Sequence, residues 1–389
     1  MASRPFDDYR TAIDDPEYFF GRTTLLKYFR QNFNSVQVLL GGQRIGKTST
    51  LRAIEWSMLG LPPDGRNSPF PVLINMQEEQ PHSADQFRYL LIGRLRDAIG
   101  RYLGTSDETS WKDDLRRAYQ RFVGMFDEVT IDAHLAKLKL KKPSTEINAD
   151  AFRAAIRDGI EDLQERGFRG ILFLLDEAGF VTRTDWGNDA WSHIRGFKDT
   201  DPLKGLVGLI VSGFRGVLEY QQRVGSPLKN IAKVIWMTDF EGEEANRVIA
   251  RRFAEEREPI RDGDHAFLRD YSGGHPFLLQ QLISILIDER RKGDPSHEAV
   301  ARRCRKEHKQ IFRDWWNSEG IADGLTEDAR IVYGVMPQNG RVSRDDLQNR
   351  LNMREDPFDD ALDILCGSGL VRVIIYLTHN AVRTTIVVA

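Results

Sequence analysis

Five short apolar runs punctuate the first two thirds of the chain: Val36–Leu40, Val72–Met76, Gly170–Leu175, Leu206–Val211 and Ala232–Met237. Each is nearly continuous in apolar residues and flanked by turn formers, as strands buried on both faces are. Stretches of helical periodicity separate them, so the pattern predicts a parallel sheet with crossover helices. Ahead of the first run, Asp15–Phe33 reads as a turn leading into an amphipathic helix.

One gap is too long for a single crossover, since about 90 residues separate Met76 from Gly170. Helical periodicity recurs there over Ser83–Leu103, Trp111–Phe126 and Ala149–Arg166, which predicts a helical insertion at about 83–168. Within it Lys137, Lys139 and Lys141 alternate with apolar residues at a strand-like period of two, either a solvated edge blunted by lysines or a basic contact. After Phe240 the strands stop and helices continue to about Asn317. The tail then gives short helices and two strands around Thr378-His379-Asn380-Ala381, a winged-helix pattern with Ser343 as N-cap of its second helix. The expected units are a nucleotide domain at 1–240, a helical lid at 241–323 and a winged helix at 324–389.

Composition narrows the setting without naming a partner. The 389 residues are 41% hydrophobic and 29% charged, with a net charge of −3, so no global field favours nucleic acid or an anionic membrane. Cys304 and Cys366 make neither a disulfide framework nor a metal cluster. No secretory leader opens the chain and no apolar run reaches the roughly 18 residues of a membrane span. A reduced, cytoplasmic protein is expected.

The chemistry enters at the end of the first run. Gly41-Gly42-Gln43-Arg44-Ile45-Gly46-Lys47-Thr48 fits G-x-x-x-x-G-K-[ST] in full, between a predicted strand and a predicted helix. Glycines let successive N–H groups close around phosphate oxygens, and the helix adds the positive end of its dipole. Lys47 is placed to reach the β- and γ-phosphates, and the Thr48 hydroxyl to ligate Mg²⁺. The third run ends in Asp176-Glu177 at the carboxyl edge of a parallel strand, where α/β sheets hold their chemistry. Asp176 suits the metal ion, and Glu177 suits a water attacking in line on the γ-phosphate. Ser212, at the end of the fourth run, is either a γ-phosphate sensor or a strand-end cap.

Together "FFGR" (Phe19–Arg22), "GGQRIGKTS" (Gly41–Ser49), "FLLDE" (Phe173–Glu177), "VSG" (Val211–Gly213) and "YSGGHPFLLQQL" (Tyr271–Leu282) resemble the AAA+-related STAND NTPases, particularly the stand-alone bacterial and archaeal ATPases. The resemblance implies an α/β P-loop NTPase with sheet order 5-1-4-3-2, a helical lid and a C-terminal winged helix. It implies ATP or ADP with Mg²⁺, Phe20, Gly21 and Arg22 near the base and ribose, Ser49 within the loop motif, and Pro276 over the adenine. By residues alone, Gly273-Gly274-His275-Pro276 is equally a plain helix start. Many members place a histidine late in the winged helix to hold ADP; His379 is the candidate here, with a simple hairpin-turn histidine as the other reading. The effector domain and sensor repeats of larger relatives have no counterpart in the sequence, so the effector is expected in trans.

Two functional classes remain. One is a nucleotide switch whose ATP state sets protein assembly or partner engagement. The other is a DNA-directed AAA+ ATPase resembling replication initiators or transposition regulators. The helix in the recognition position, Glu355–Gly369, carries five carboxylates and no basic residue, which disfavours the duplex. The basic stretch Ala301–Arg313 is the other candidate, set against a solvated face. A nucleotide-dependent homo-oligomer would need an arginine from a neighbouring subunit; Arg195 leads, then Arg215, with Arg251 and Arg252 behind.

Overall fold

The computed structural model describes residues 12–13, 16–60, 68–105, 148–199, 203–316, 324–337, 341–378 and 381–388. The Trp111–Phe126 helix, the lysine-alternating strand and His379 lie outside the described residues.

A 3-10 turn at Pro16–Tyr18 precedes α1 (Thr23–Gln31), β1 (Val36–Leu40), α2 (Lys47–Leu59) and β2 (Pro69–Asn75). Then come α3 (Met76–Glu79), α4 (Ala84–Thr105), α5 (Ala149–Gln164) and β3 (Gly170–Asp176). Met76, expected at a strand end, instead opens α3, because the Asn75 side chain accepts from Gln77 N–H and caps the turn. The chain continues through α6 (Gly179–Thr182), α7 (Gly187–Asp199), β4 (Val207–Gly213), α8 (Arg215–Gln222) and β5 (Ala232–Trp236).

All five strands are parallel, in the order β2-β3-β4-β1-β5, which is the expected order read from the other edge. Their alternation sorts side chains into two cores. Val38, Phe173, Leu175 and Val211 face the layer of α4, α5, α7 and α8, whereas Leu39, Leu172, Leu174 and Ile210 face α1 and α2. This three-layer arrangement leaves the carboxyl ends of β1, β3 and β4 along one rim.

Four helices follow the sheet: α9 (Gly242–Glu255), α10 (Asp264–Ser272), α11 (Pro276–Arg290) and α12 (His297–Glu307). They bury a core of their own around Val248, Phe253, Leu268, Leu282, Leu286 and Val300, against which Phe20 packs. Asp264, fully buried, accepts from Arg290 at 2.6 Å and lies 3.1 Å from His297 Nε2, which ties α10 to α11 and α12. The basic stretch Ala301–Arg313 is not one helix, because α12 ends at Glu307 and, after the cap residue His308, α13 (Lys309–Trp316) starts afresh. Within it Arg303 pairs with Glu289 and Glu307, both at 2.6 Å, so the charge of that one residue is already answered.

The tail comprises α14 (Glu327–Val335), β6 (Arg341–Ser343), α15 (Arg344–Leu351), α16 (Glu355–Gly367), β7 (Val371–Thr378) and β8 (Ala381–Val388). The side chain of Ser343 caps α15 by accepting from Asp346 N–H. The hairpin is joined by the short β6, absent from the sequence pattern, in an antiparallel sheet of order β6-β8-β7. Phe214 and Trp236, from the rim of the large sheet, belong to this tail's core around Phe358, Leu362 and Leu365. No helix among the described residues is long and apolar enough to cross a membrane.

Candidate functional site

The loop between β1 and α2 is shaped by its residues before any ligand is considered. Gly46 sits at φ 95°, a left-handed position that a residue with Cβ adopts only under strain, and it starts α2 from there. Arg44 is also left-handed, at φ 59°, and its guanidinium lies 4.7 Å from the ring centre of Phe277 on α11. Ile45 is buried in the core shared with α2 and pins the loop from below. Gly42 has a different reason to be glycine: a Cβ there would come 2.9 Å from the Ser368 Cα.

Lys47 Nζ donates to the carbonyls of Gly41 at 2.8 Å and Gly42 at 3.0 Å, so its charge hangs over the loop. Thr48 Oγ1 donates to Asp176 Oδ2 at 2.6 Å, and Ser212 Oγ donates to Asp176 Oδ1. Asp176 is buried at the end of β3, and Ser212 is buried at the end of β4. Strand register produces this meeting, since β3 and β4 run side by side from Ile171 opposite Val207 to Leu175 opposite Val211. Glu177 follows with a left-handed backbone at φ 51°, half-buried, while Ala178 N–H donates to the Ser212 carbonyl at 3.0 Å. Three separate motifs of the sequence thus converge on one carboxylate.

A second group closes on the loop from the helical side. Arg22 is buried with a left-handed backbone; its N–H donates to Glu244 Oε1 at 2.8 Å, its guanidinium approaches the Ile45 carbonyl at 3.5 Å, and it lies 4.9 Å from the Phe240 ring centre. Burial lowers its pKa, while Glu244 and Asp239 oppose that shift. Gly21, at φ 78°, leads into it. The Phe20 ring lies under the Arg251 guanidinium at 4.4 Å. Pro276 opens α11, and the Gly274 carbonyl just before it accepts from Phe240 N–H at 2.9 Å. His275 is buried between them; desolvation, then the Arg22 charge, push its pKa down to about 3, and the Gln43 backbone opposes that shift.

The Ser49 hydroxyl accepts from Ile13 N–H at 3.0 Å and ties down the segment ahead of α1. Arg195 is exposed on α7 and takes no part in the bonds described above. Arg215 pairs with Glu219 at 2.7 Å and Arg251 with Glu255 at 2.8 Å, whereas Arg252 is buried within the α9 core. The sequence reading missed His275 and Asp239, both buried beside Arg22, and the Gly367-Ser368-Gly369 segment beside Gly42. For His275 the signal was its place inside the quoted glycine–proline break; for the other two no local pattern marks the contact.

The oxygen set suits a hard cation. Among the described residues no group of three His, Cys, Asp or Glu side chains could hold a metal. Thr48 and Asp176 could therefore hold Mg²⁺ only in company with phosphate oxygens and water, which is how that ion is usually bound.

No protein-family model matches the chain, and no curated protein matches it. Solved structures do. The Walker-type ATPase of Pyrococcus abyssi superposes with a TM-score of 0.54 at 18% identity, over 97% of this chain and 96% of that one. The ORC2 protein of Aeropyrum pernix, described as ADPNP–ADP complexes, gives 0.45 at 13% identity over 100% and 93%. The ORC1 protein of the same organism, in complex with DNA, gives 0.39 at 14% identity over 99% and 92%. The first of these likenesses, with the sheet order and the loop, shows the fold of a P-loop ATPase.

Proposed function

We propose that the chain binds ATP and ADP with Mg²⁺ at Gly41–Thr48, hydrolyses ATP slowly, and works as a STAND-like nucleotide switch on protein partners. The observation that carries this reading is the convergence of Thr48 and Ser212 on Asp176, directly beneath a loop over which Lys47 is already poised. Bound MgATP supplies the scissile phosphoanhydride. Lys47 exchanges its two loop carbonyls for phosphate oxygens, Thr48 and Asp176 hold the cation, and Ser212 senses the γ-phosphate across Asp176. Glu177 orients the attacking water and accepts its proton. Phe20, Gly21, Arg22 and Pro276 form the base and ribose side, and an arginine in trans, Arg195 by preference, completes an oligomeric site.

The units of this proposal are a nucleotide domain at 1–240, a helical lid at 241–323 and a winged helix at 324–389. The DNA-directed alternative is the weaker one. The acidic residues Asp356, Asp359, Asp360 and Asp363 lie on α16, and Arg344, a basic residue near them, already pairs with Asp359 at 2.5 Å. Phosphate release by the full chain with ATP and Mg²⁺, compared with Glu177→Gln, tests the proposal. Turnover should fall on the order of 10²–10⁴-fold with nucleotide binding intact. Equal rates would remove Glu177 from the mechanism, and a steep salt-dependent affinity for duplex DNA would favour the alternative.

A further inference from the structure

The C-terminal end of α16 is capped with all but one of its last carbonyls answered locally. Ser368 N–H donates to Ile364, Leu370 N–H to Leu365, and Gly369 N–H to Cys366, with Gly369 left-handed at φ 73°. The last two bonds form the closing motif of a helix that ends on glycine. The remaining carbonyl, that of Gly367, reaches out of the tail and accepts from Gly42 N–H at 2.5 Å.

That amide belongs to the phosphate loop. A helix C-terminus carries partial negative charge, and a loop of inward N–H groups before a helix N-terminus attracts it. The two surfaces are also fitted to each other. A Cβ on Gly42 would lie 2.9 Å from Ser368, one on Gly367 would enter the Trp236 ring at 2.2 Å, and one on Gly369 would lie 2.8 Å from Asp239 Oδ1 and 3.0 Å from His275.

We infer that the Gly367 end of α16 is an internal competitor of nucleotide phosphate: it occupies the Gly42 amide, and nucleotide entering the loop displaces it. This rests on the reading of Gly41–Thr48 as a phosphate cradle. It reverses the sense in which a late winged-helix residue clasps ADP, because here the tail and the nucleotide oppose each other. Opposition is reciprocal, so whatever affinity the tail costs the nucleotide, the nucleotide costs the tail.

Amide hydrogen exchange on the full wild-type chain, with and without saturating ADP and Mg²⁺, tests the inference. The expected result is slower exchange over 41–48 together with exchange at least tenfold faster over 367–370. Slowing of both segments, or slowing of the loop with no change in 367–370, overturns it while leaving the cradle standing. Gly367→Val, which drives a side chain into Trp236 and lifts the helix end, should bind ADP about tenfold more tightly; unchanged or weaker binding by a folded variant also counts against it. If neither the wild type nor the variant binds ADP at any concentration, the cradle reading fails and the inference with it. Should the variant not fold, the wild-type exchange result decides alone.

Discussion

The phosphate loop is gripped from two sides that are built differently. On the sheet side, Thr48 and Ser212 donate to one buried carboxylate, and all three sit at the ends of neighbouring parallel strands or the first turn of α2. On the other side, Arg22, His275 and Gly367 reach the loop from α1, α11 and α16, elements separated by most of the chain. The sheet side follows from strand order and register and is set once the sheet forms. The opposite side exists only while the helical group and the tail remain docked, and it is the side that the inferred competition with nucleotide would move. The proposed switch would use both, the first as a fixed chemical floor and the second as a removable cover.

The largest expected effect lies on the floor. Asp176→Ala leaves the hydroxyls of Ser212 and Thr48 without their acceptor, and each such group costs about 1–3 kcal/mol when buried. With Ser212 buried and Thr48 half-buried, a loss of about 2–4 kcal/mol in urea unfolding is expected, along with loss of Mg²⁺-dependent turnover. A stability change under about 0.5 kcal/mol, the range of an ordinary surface substitution, would show that the floor is not held by this carboxylate.

Lys47→Ala separates binding from folding. Among the described residues the ammonium hydrogen-bonds only loop carbonyls, at 2.8 and 3.0 Å, and the residue is half-buried. Its loss should weaken ADP and ATP binding by about 1.5–3 kcal/mol, roughly 10- to 100-fold, the worth of a hydrogen bond to a charged group. Unfolding should change far less than in Asp176→Ala. Isothermal titration beside urea melts gives both numbers, and equal losses in the two variants would erase the distinction between loop and floor.

The same contrast governs what was legible in the sequence. The five apolar runs gave the strands to within a few residues, because a strand buried on both faces is written as local hydrophobicity. Sheet order came with the resemblance rather than from the pattern. Gly41–Thr48, Asp176 and Ser212 were readable because each lies at a strand end, and parallel sheets gather those ends on one rim. His275, Asp239 and Gly367 were not, because what makes them part of the site is the docking of distant surfaces. The sequence pattern puts Gly367 inside an acidic helix running to Gly369, whereas the helix ends at Gly367 itself, and the lack of space beside Gly42 and Trp236 gives that glycine its meaning.

The smallest effect belongs to the cover, and it is one of pH. His275 is buried beside Arg22, and its pKa is pushed down to about 3 from an ordinary 6.5. The unfolded chain therefore takes up this proton as pH falls through about 6.5, while the folded chain does not until near 3. Stability from keeping His275 neutral is complete above pH 6.5 and drains away as the pH drops toward 3, at up to about 1.4 kcal/mol per unit. Asp360 and Asp363 on α16 act in the opposite sense: burial first, then neighbouring carboxylates, raise their pKa values, so the folded state gains relative stability as they protonate. A wild-type curve alone mixes these contributions, and the comparison needed is with His275→Gln, which removes one of them. Between pH 7.5 and 5.5 the wild type should lose about 1.4 kcal/mol more than the variant in urea unfolding, with most of the difference, about 1 kcal/mol, in the acid half of that range. Parallel curves would mean that the imidazole is not held neutral between Arg22 and the loop, and that the cover is looser than its contacts indicate.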